Sequence, residues 1–225
     1  MSLDNKTADV FKRQFGWYVS EGFADADVGA YGTKDGNTFE YMDTLSHLGH
    51  GVPDPKVLSE PRQPTWFMEE GASHGGWQVG GKLPGGKVSL SIKLEFKSNN
   101  TVACFLSSYD ERWIDNGDAV GDAIVKLYRE SGHDWRLTRK WVARALRVTS
   151  GFVMMSLDKD VSFTLSGSGK VNVSGVPVEI DVAGFQQSAT SSVEFKGLAG
   201  VAPFLKLAEV YDRLGFNNAD WHPIG

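Results

Sequence analysis

Val161-Ser162-Phe163-Thr164-Leu165-Ser166-Gly167-Ser168-Gly169-Lys170-Val171-Asn172-Val173 is the run on which the fold turns. Val161, Phe163 and Leu165 share one face, and Ser162, Thr164 and Ser166 share the other. After Gly167-Ser168-Gly169 the same period returns in Val171, Val173, Val176, Val178, Ile180 and Val182. A two-residue period is that of a β-strand, whose side chains project alternately to opposite faces. Leu157 to Phe195 is therefore expected to form two strands around a glycine-rich turn at Gly167–Gly169. Two readings fit this pattern. A surface hairpin of an antiparallel sheet turns its apolar side inward. A strand crossing a bilayer needs the same alternation over roughly 9–11 residues, apolar toward lipid and polar toward a water-filled lumen.

The cleanest alternation lies upstream. Val88, Leu90, Ile92, Leu94 and Phe96 face one way, while Ser89, Ser91, Lys93, Glu95 and Lys97 face the other. Trp77-Gln78-Val79 supplies the preceding arm across Lys82 to Gly86, which makes a second hairpin of the same character. Trp17-Tyr18-Val19, Trp66-Phe67-Met68 and Val102 to Leu106 read as further strands. Phe39 to Leu48 reads as a strand or a short helix, Gly22 to Asn37 as loop, and Pro53, Pro55, Pro61 and Pro64 impose an extended, irregular connection. Helices are expected from Asp4 or Thr7 to Gly16, from Asn116 or Asp118 to Gly132, from Trp135 to Val148, and from Pro203 to Gly215. The fold class is α+β: one domain over residues 1–225, with a twisted antiparallel sheet, two extendable β-hairpins and packed helices.

Apolar content of 41% and charged content of 23% over 225 residues exclude a disordered chain and suffice for a real core. No apolar run reaches the ~18 residues of a membrane helix, and the N-terminus lacks the apolar centre of a signal peptide. The chain is expected in the cytoplasm, with any membrane contact acquired after folding. Cys104 is the one cysteine and, beside Val102, Ala103 and Phe105, it reads as a buried hydrophobe.

The net charge of −5 argues against nucleic acid as a partner, because duplex binding needs a broad positive field. Positive charge is nevertheless concentrated. Arg136, Arg139, Lys140, Arg144 and Arg147 stand together without an acid, leaving 18 basic against 28 acidic residues elsewhere. On a helix of about 100° per residue, these five would oppose Leu137, Trp141, Val142, Ala145, Leu146 and Val148. Such a face either pairs with acids elsewhere on the protein or is drawn to anionic headgroups, at roughly 1 kcal/mol per residue. Lys12 and Arg13 on the first helix add to it.

Catalytic signatures are missing where their context is checked. Gly76–Lys82 and Gly81–Lys87 match the spacing of a phosphate-binding loop, but Leu83 and Val88 replace the needed hydroxyl and a strand replaces the needed helix. His47 and His50 lack a third ligand. Asp110, Glu111, Asp115 and Asp118 form no evident acid–base pair. No catalytic residue, metal or cofactor is expected. An alternative to a membrane role is a soluble binding module whose Trp66, Trp77 and Trp113 line a ligand site.

The order of elements resembles the N-terminal, pore-forming domain of the gasdermins: a short basic first helix, a glycine-flanked hairpin, a helical block, a second hairpin and a closing aromatic-rich helix. The residues that carry the likeness are Val148-Thr149-Ser150-Gly151-Phe152-Val153-Met154-Met155, the alternating Val161 to Phe185, Val193-Glu194-Phe195-Lys196-Gly197, and Pro203 to Tyr211. The resemblance spans nearly the whole chain. It implies a non-enzymatic effector of pyroptosis-like programmed cell death that binds acidic phospholipids, oligomerises and refolds two segments per subunit into four strands of a membrane β-barrel. On this sequence the inserting segments are Trp66 to Phe96 and Val161 to Phe185. Their membrane-inserting residues are Val88, Leu90, Ile92, Leu94, Phe96, Val161, Phe163, Leu165, Val171, Val173, Val178, Ile180 and Val182. The lipid-binding residues are Lys12, Arg13, Arg136, Arg139, Lys140, Arg144 and Arg147. With no linker or inhibitory domain before Gly225, the chain is most similar to the short fungal gasdermins of allorecognition and heterokaryon incompatibility. There, meeting a variant partner, in a homo- or hetero-oligomer, replaces cleavage as the trigger. The implied location is cytoplasmic when inactive and the plasma membrane when assembled.

Overall fold

A computed structural model describes residues 2–49, 51–131, 135–181, 186–187, 193–212 and 219–224. The architecture is α+β. Helix α1 (Leu3–Val10) continues into a π-helical turn, Phe11–Phe15, and stops at Gly16 in the left-handed region, φ +71°. Strands β1 (Tyr18–Ser20), β2 (Ala30–Asp35), β3 (Thr38–Thr44), β4 (Val57–Arg62) and β5 (Thr65–Met68) follow. Next come β6 (Ala72–His74), β7 (Gln78–Lys82), β8 (Val88–Phe96), β9 (Thr101–Ile114), helix α2 (Gly117–Ser131) and β10 (Arg139–Ser156). The chain closes with β11 (Val161–Val171), β12 (Pro177–Ile180), β13 (Gln186–Gln187), β14 (Val193–Leu198), β15 (Val201–Asp212) and β16 (Ala219–Ile224).

These elements fall into two compact units. The first comprises Met1–Val10, Pro61–Tyr109 and Val148–Gly200, and the second Phe11–Glu60, Asp110–Arg147 and Val201–Gly225. In the first unit β12, β11, β8 and β6 lie side by side, with β7 also on β8 and β13 on β11. The apolar face of this sheet, Leu90, Ile92, Leu94, Phe96, Leu165 and Ile180, packs against Ala103 and Phe105 of β9 and Phe152 and Met154 of β10. Each such side chain contributes about 1.5–3 kcal/mol by leaving water. Trp66 joins them, with ring centroids 4.7 Å from Phe105 and 5.8 Å from Phe152.

In the second unit β2 and β3 form a hairpin, and β1 lies between β3, to which it is parallel, and β15, to which it is antiparallel. β16 pairs with β15, and β2 pairs with the start of β10. The apolar side of α2, Val120, Ile124, Leu127 and Tyr128, packs with Tyr31, Trp135, Trp141, Ala208 and Val210. Gly121 of α2 makes room for Trp221: a Cβ there would stand 2.3 Å from the indole.

Several expectations hold. The first helix, α2, the strands at β5 and β8 and the pairing of β7 with β8 are where the sequence places them. The extended proline-rich stretch includes β4, and Phe39–Leu48 resolves into β3 followed by a 3-10 turn, Leu45–His47. The loop expected over Gly22–Asn37 contains β2.

Two expected helices are strands. Trp135–Val148 leads into β10, and Pro203–Gly215 falls largely on β15. The cause is coverage of both faces. Trp141 enters the cluster around α2, while its neighbour Val142 enters the opposite cluster with Tyr18, Phe39 and Ala145. On β15, Leu205 and Leu207 belong to one cluster and Ala208 and Val210 to the other. A strand covered on both sides loses its two-residue alternation, so the spacing of its apolar residues no longer tells it from a helix.

The turn of the second hairpin also lies elsewhere. Gly167–Gly169 is inside β11, and the chain reverses at residues 172–176. There the Asn172 side-chain oxygen accepts from the N–H groups of Ser174 and Val176, each at 3.0 Å, and Gly175 takes φ +75°. This is an Asx-type turn. Gly169 serves packing instead: a Cβ on it would lie 2.2 Å from the Glu179 carbonyl oxygen and 2.7 Å from Leu90 Cδ1. Gly169→Ala is expected to cost stability at the upper end of the roughly 1–3 kcal/mol of overpacked sites, measured as a fall in unfolding midpoint.

Candidate functional site

The two alternating hairpins, far apart in sequence, are joined. β8 and β11 pair antiparallel without interruption from Val161 opposite Phe96 to Gly169 opposite Val88. The register keeps both periods in phase. Leu165 faces Ile92 on the buried side, while Thr164 faces Lys93 and Ser166 faces Ser91 on the other. β7 extends the sheet beyond β8 and β12 extends it beyond β11. The result is a four-stranded order, β7-β8-β11-β12, with one apolar face and one polar face.

Of the residues expected to insert, Leu90, Ile92, Leu94, Phe96, Leu165 and Ile180 are buried, with Val88, Val161 and Val171 packed against them. Val178 is half-buried. Val173 is fully exposed at the tip of the second hairpin, where Leu83, 40% exposed, marks the tip of the first. The side chain of Phe163, and Val182 altogether, lie outside the described residues.

Specific polar contacts hold these hairpins down. The Ser150 hydroxyl on β10 donates to the Ile180 carbonyl at 3.0 Å and accepts from the Ile180 N–H at 2.9 Å, within the buried interior. The Ser107 hydroxyl donates to the Ser150 carbonyl at 2.9 Å. Lys87, at the first hairpin's turn, reaches Asp181 beyond β12 at 3.1 Å. α1 fastens both flanks: Lys6 pairs with Glu69 at 2.9 Å just before the first hairpin, and the Leu3 N–H donates to Glu194 at 3.0 Å just after the second. Nothing in the sequence marks these partners, because none repeats with a period and each pair is distant along the chain.

The basic cluster sits on and before β10, so the expected amphipathic helix does not present it. Lys140 is buried and pairs with Glu209. Arg147 lies 2.5 Å from Asp25 and 3.5 Å from Asp27, and Arg144 lies 3.4 Å from Glu111. Arg139 stacks over Tyr31 at 5.7 Å, and Arg136 is exposed in the turn before the strand. Lys12 stands 3.8 Å above the Tyr18 ring, and Arg13 is exposed beside it.

Other candidates disperse. Trp66 and Trp77 pack in the first unit's core, and Trp113 lines a cavity in the second. His47 pairs with Asp43 at 2.7 Å, which lowers the Asp43 pKa, and His50 lies outside the described residues. Among the described residues no three His, Cys, Asp or Glu side chains are grouped to hold a metal. Burial raises the Cys104 thiol well above its ordinary pKa, and a protonated, enclosed thiol is a poor nucleophile. Gly76–Lys82 runs into β7, and the lysine is followed by a single 3-10 turn, Pro84–Gly86, and then strand β8 rather than by an α-helix.

Comparison with protein-family models gives no match, and comparison with curated proteins gives none either. Among solved structures, the cryo-EM structure of the gasdermin A3 membrane pore is similar, with a TM-score of 0.38 at 7% sequence identity, covering 100% of this chain and 94% of that one.

Proposed function

We propose that the chain is a pore-forming effector of the gasdermin kind, in which β7–β8 and β11–β12 leave the first unit's core and extend as four strands of an oligomeric membrane barrel. The observation that supports this is the in-phase β8–β11 ladder. Its strands of 9 and 11 residues match the roughly 9–11 that cross a bilayer. Leu90, Ile92, Leu94 and Leu165 would exchange core for lipid, and Ser89, Ser91, Thr164 and Ser166 would line the lumen. Acidic phospholipids would be met first by the exposed Arg13 and Arg136 with Lys12 beside Arg13, whereas Lys140 is buried against Glu209. The trigger in this reading is a sequence variant of the same protein that completes the ring at the plasma membrane, as in allorecognition.

Dye-filled vesicles containing phosphatidylserine, mixed with the protein alone and with such a variant, test the reading. Dye release accompanied by ring-shaped assemblies in electron micrographs is the expected result. No release under any pairing, with no rings, would sink it.

A further inference from the structure

The second unit holds a cavity of about 560 Å³, within the roughly 300–1,000 Å³ of small-molecule sites, and nothing in the pore reading uses it. Three tryptophans line it: Trp113, Trp141 and Trp221. Their neighbours set two of them firmly. Trp141 is buried, and Trp221 lies against Gly121 with its ring 6.0 Å from that of Trp141.

Charges of both signs share this cavity. Asp115 and Asp118 line it, both exposed, and neither carboxylate has a hydrogen bond or ion pair among the described residues. Lys206 and Arg144 also line it. The Lys206 ammonium stands 5.0 Å from the Trp17 ring and pairs with no carboxylate among the described residues. Arg144 reaches Glu111 at 3.4 Å with its side chain 54% exposed.

Each class of ligand can be weighed against this lining. A bare anion would meet Asp115 and Asp118, and a bare cation would meet Lys206 and Arg144. A purely apolar guest would strip water from four charges without replacing it. A zwitterion satisfies all of them. Indole faces attract a quaternary ammonium, the more so with carboxylates beside them, and a guanidinium and an ammonium suit a phosphate. We propose that this cavity binds a phosphocholine group, whether free in solution or as the headgroup of a membrane lipid. The site does not depend on the pore reading.

Titration calorimetry of the full chain with phosphocholine tests it, with choline and inorganic phosphate as separate probes. Phosphocholine is expected to bind and to change tryptophan fluorescence, with each half alone weaker by at least about tenfold. The exposed pair Asp115→Asn and Asp118→Asn is expected to weaken phosphocholine and choline but not phosphate. Lys206→Gln is expected to weaken phosphocholine and phosphate but not choline, with circular dichroism showing each variant folded. Sedimentation with phosphatidylcholine vesicles that soluble phosphocholine reverses would assign the lipid as the source, and binding of phosphocholine without sedimentation would assign the free compound. No heat with phosphocholine, equal affinity for phosphate alone, or affinities unchanged in both variants would overturn the site. None of these readouts requires vesicle leakage, so failure here and failure of the pore reading are separate results.

Discussion

Replacing Ile92 by aspartate is expected to remove about 4 kcal/mol or more of stability, the range reached when an unpaired charge is buried. Ile92 is 1% exposed at the middle of β8, faces Leu165 across the ladder and packs on the face that meets Phe105 and Phe152. The loss combines the transfer energy of the aliphatic side chain with the desolvation of a carboxylate that has no partner there. Its pH dependence has a definite sign. Burial raises the pKa of the new carboxyl in the folded state above its unfolded value, so the folded form holds the proton more tightly. The deficit therefore grows as pH rises through the unfolded pKa toward the folded one, and shrinks in acid. Ser166→Asp, one residue along on the exposed side of β11, should fall within about 0.5 kcal/mol of the parent. Urea unfolding followed by tryptophan fluorescence at acid and neutral pH compares the two. Equal losses on the two faces would contradict the two-sided character of the sheet on which the proposed function rests.

Ser150→Ala is expected to be nearly as costly for a single hydroxyl. It leaves the buried N–H and C=O of Ile180 without the partner each has at 2.9 and 3.0 Å, and an unsatisfied buried group costs about 1–3 kcal/mol. The combined loss is expected at roughly 2–4 kcal/mol, concentrated on β12. Hydrogen exchange should show the Ile180 amide opening much faster than in the parent. On the pore reading, release of dye from acidic vesicles should begin sooner, because the second hairpin is freed at lower cost. Parental exchange at Ile180 together with parental stability would show that β12 is held by something other than this serine.

The sequence reveals most where one face of an element is solvated. β8 is legible residue by residue because Lys93 and Glu95 alternate with Ile92, Leu94 and Phe96. α2 is legible because its charged side is wet. β10 and β15 are not, since their neighbours cover both sides and no two-residue alternation remains to mark them as strands. The turn after β11 was hidden for a different reason. Gly167 and Gly169 have the composition of a turn, but Gly169 exists to let the Glu179 backbone approach, and Asn172 supplies the reversal. The clamps at Ser150, Glu69 and Glu194, like the cavity around Trp141 and Trp221, are juxtapositions made by tertiary pairing. A single chain read in order shows the side chains but not that they meet.

The pairing of β8 with β11 also bears on how quickly the hairpins could act. Phe96 and Val161 are partners across roughly 65 intervening residues of chain. Closing a flexible loop of that length costs on the order of 4 kcal/mol of entropy, and long-range strand pairing is correspondingly slow. In this molecule the search is complete when the polypeptide first folds. A later extension of the four strands would lengthen an existing ladder from its ends, a local zippering, rather than bring two distant segments together on a membrane surface.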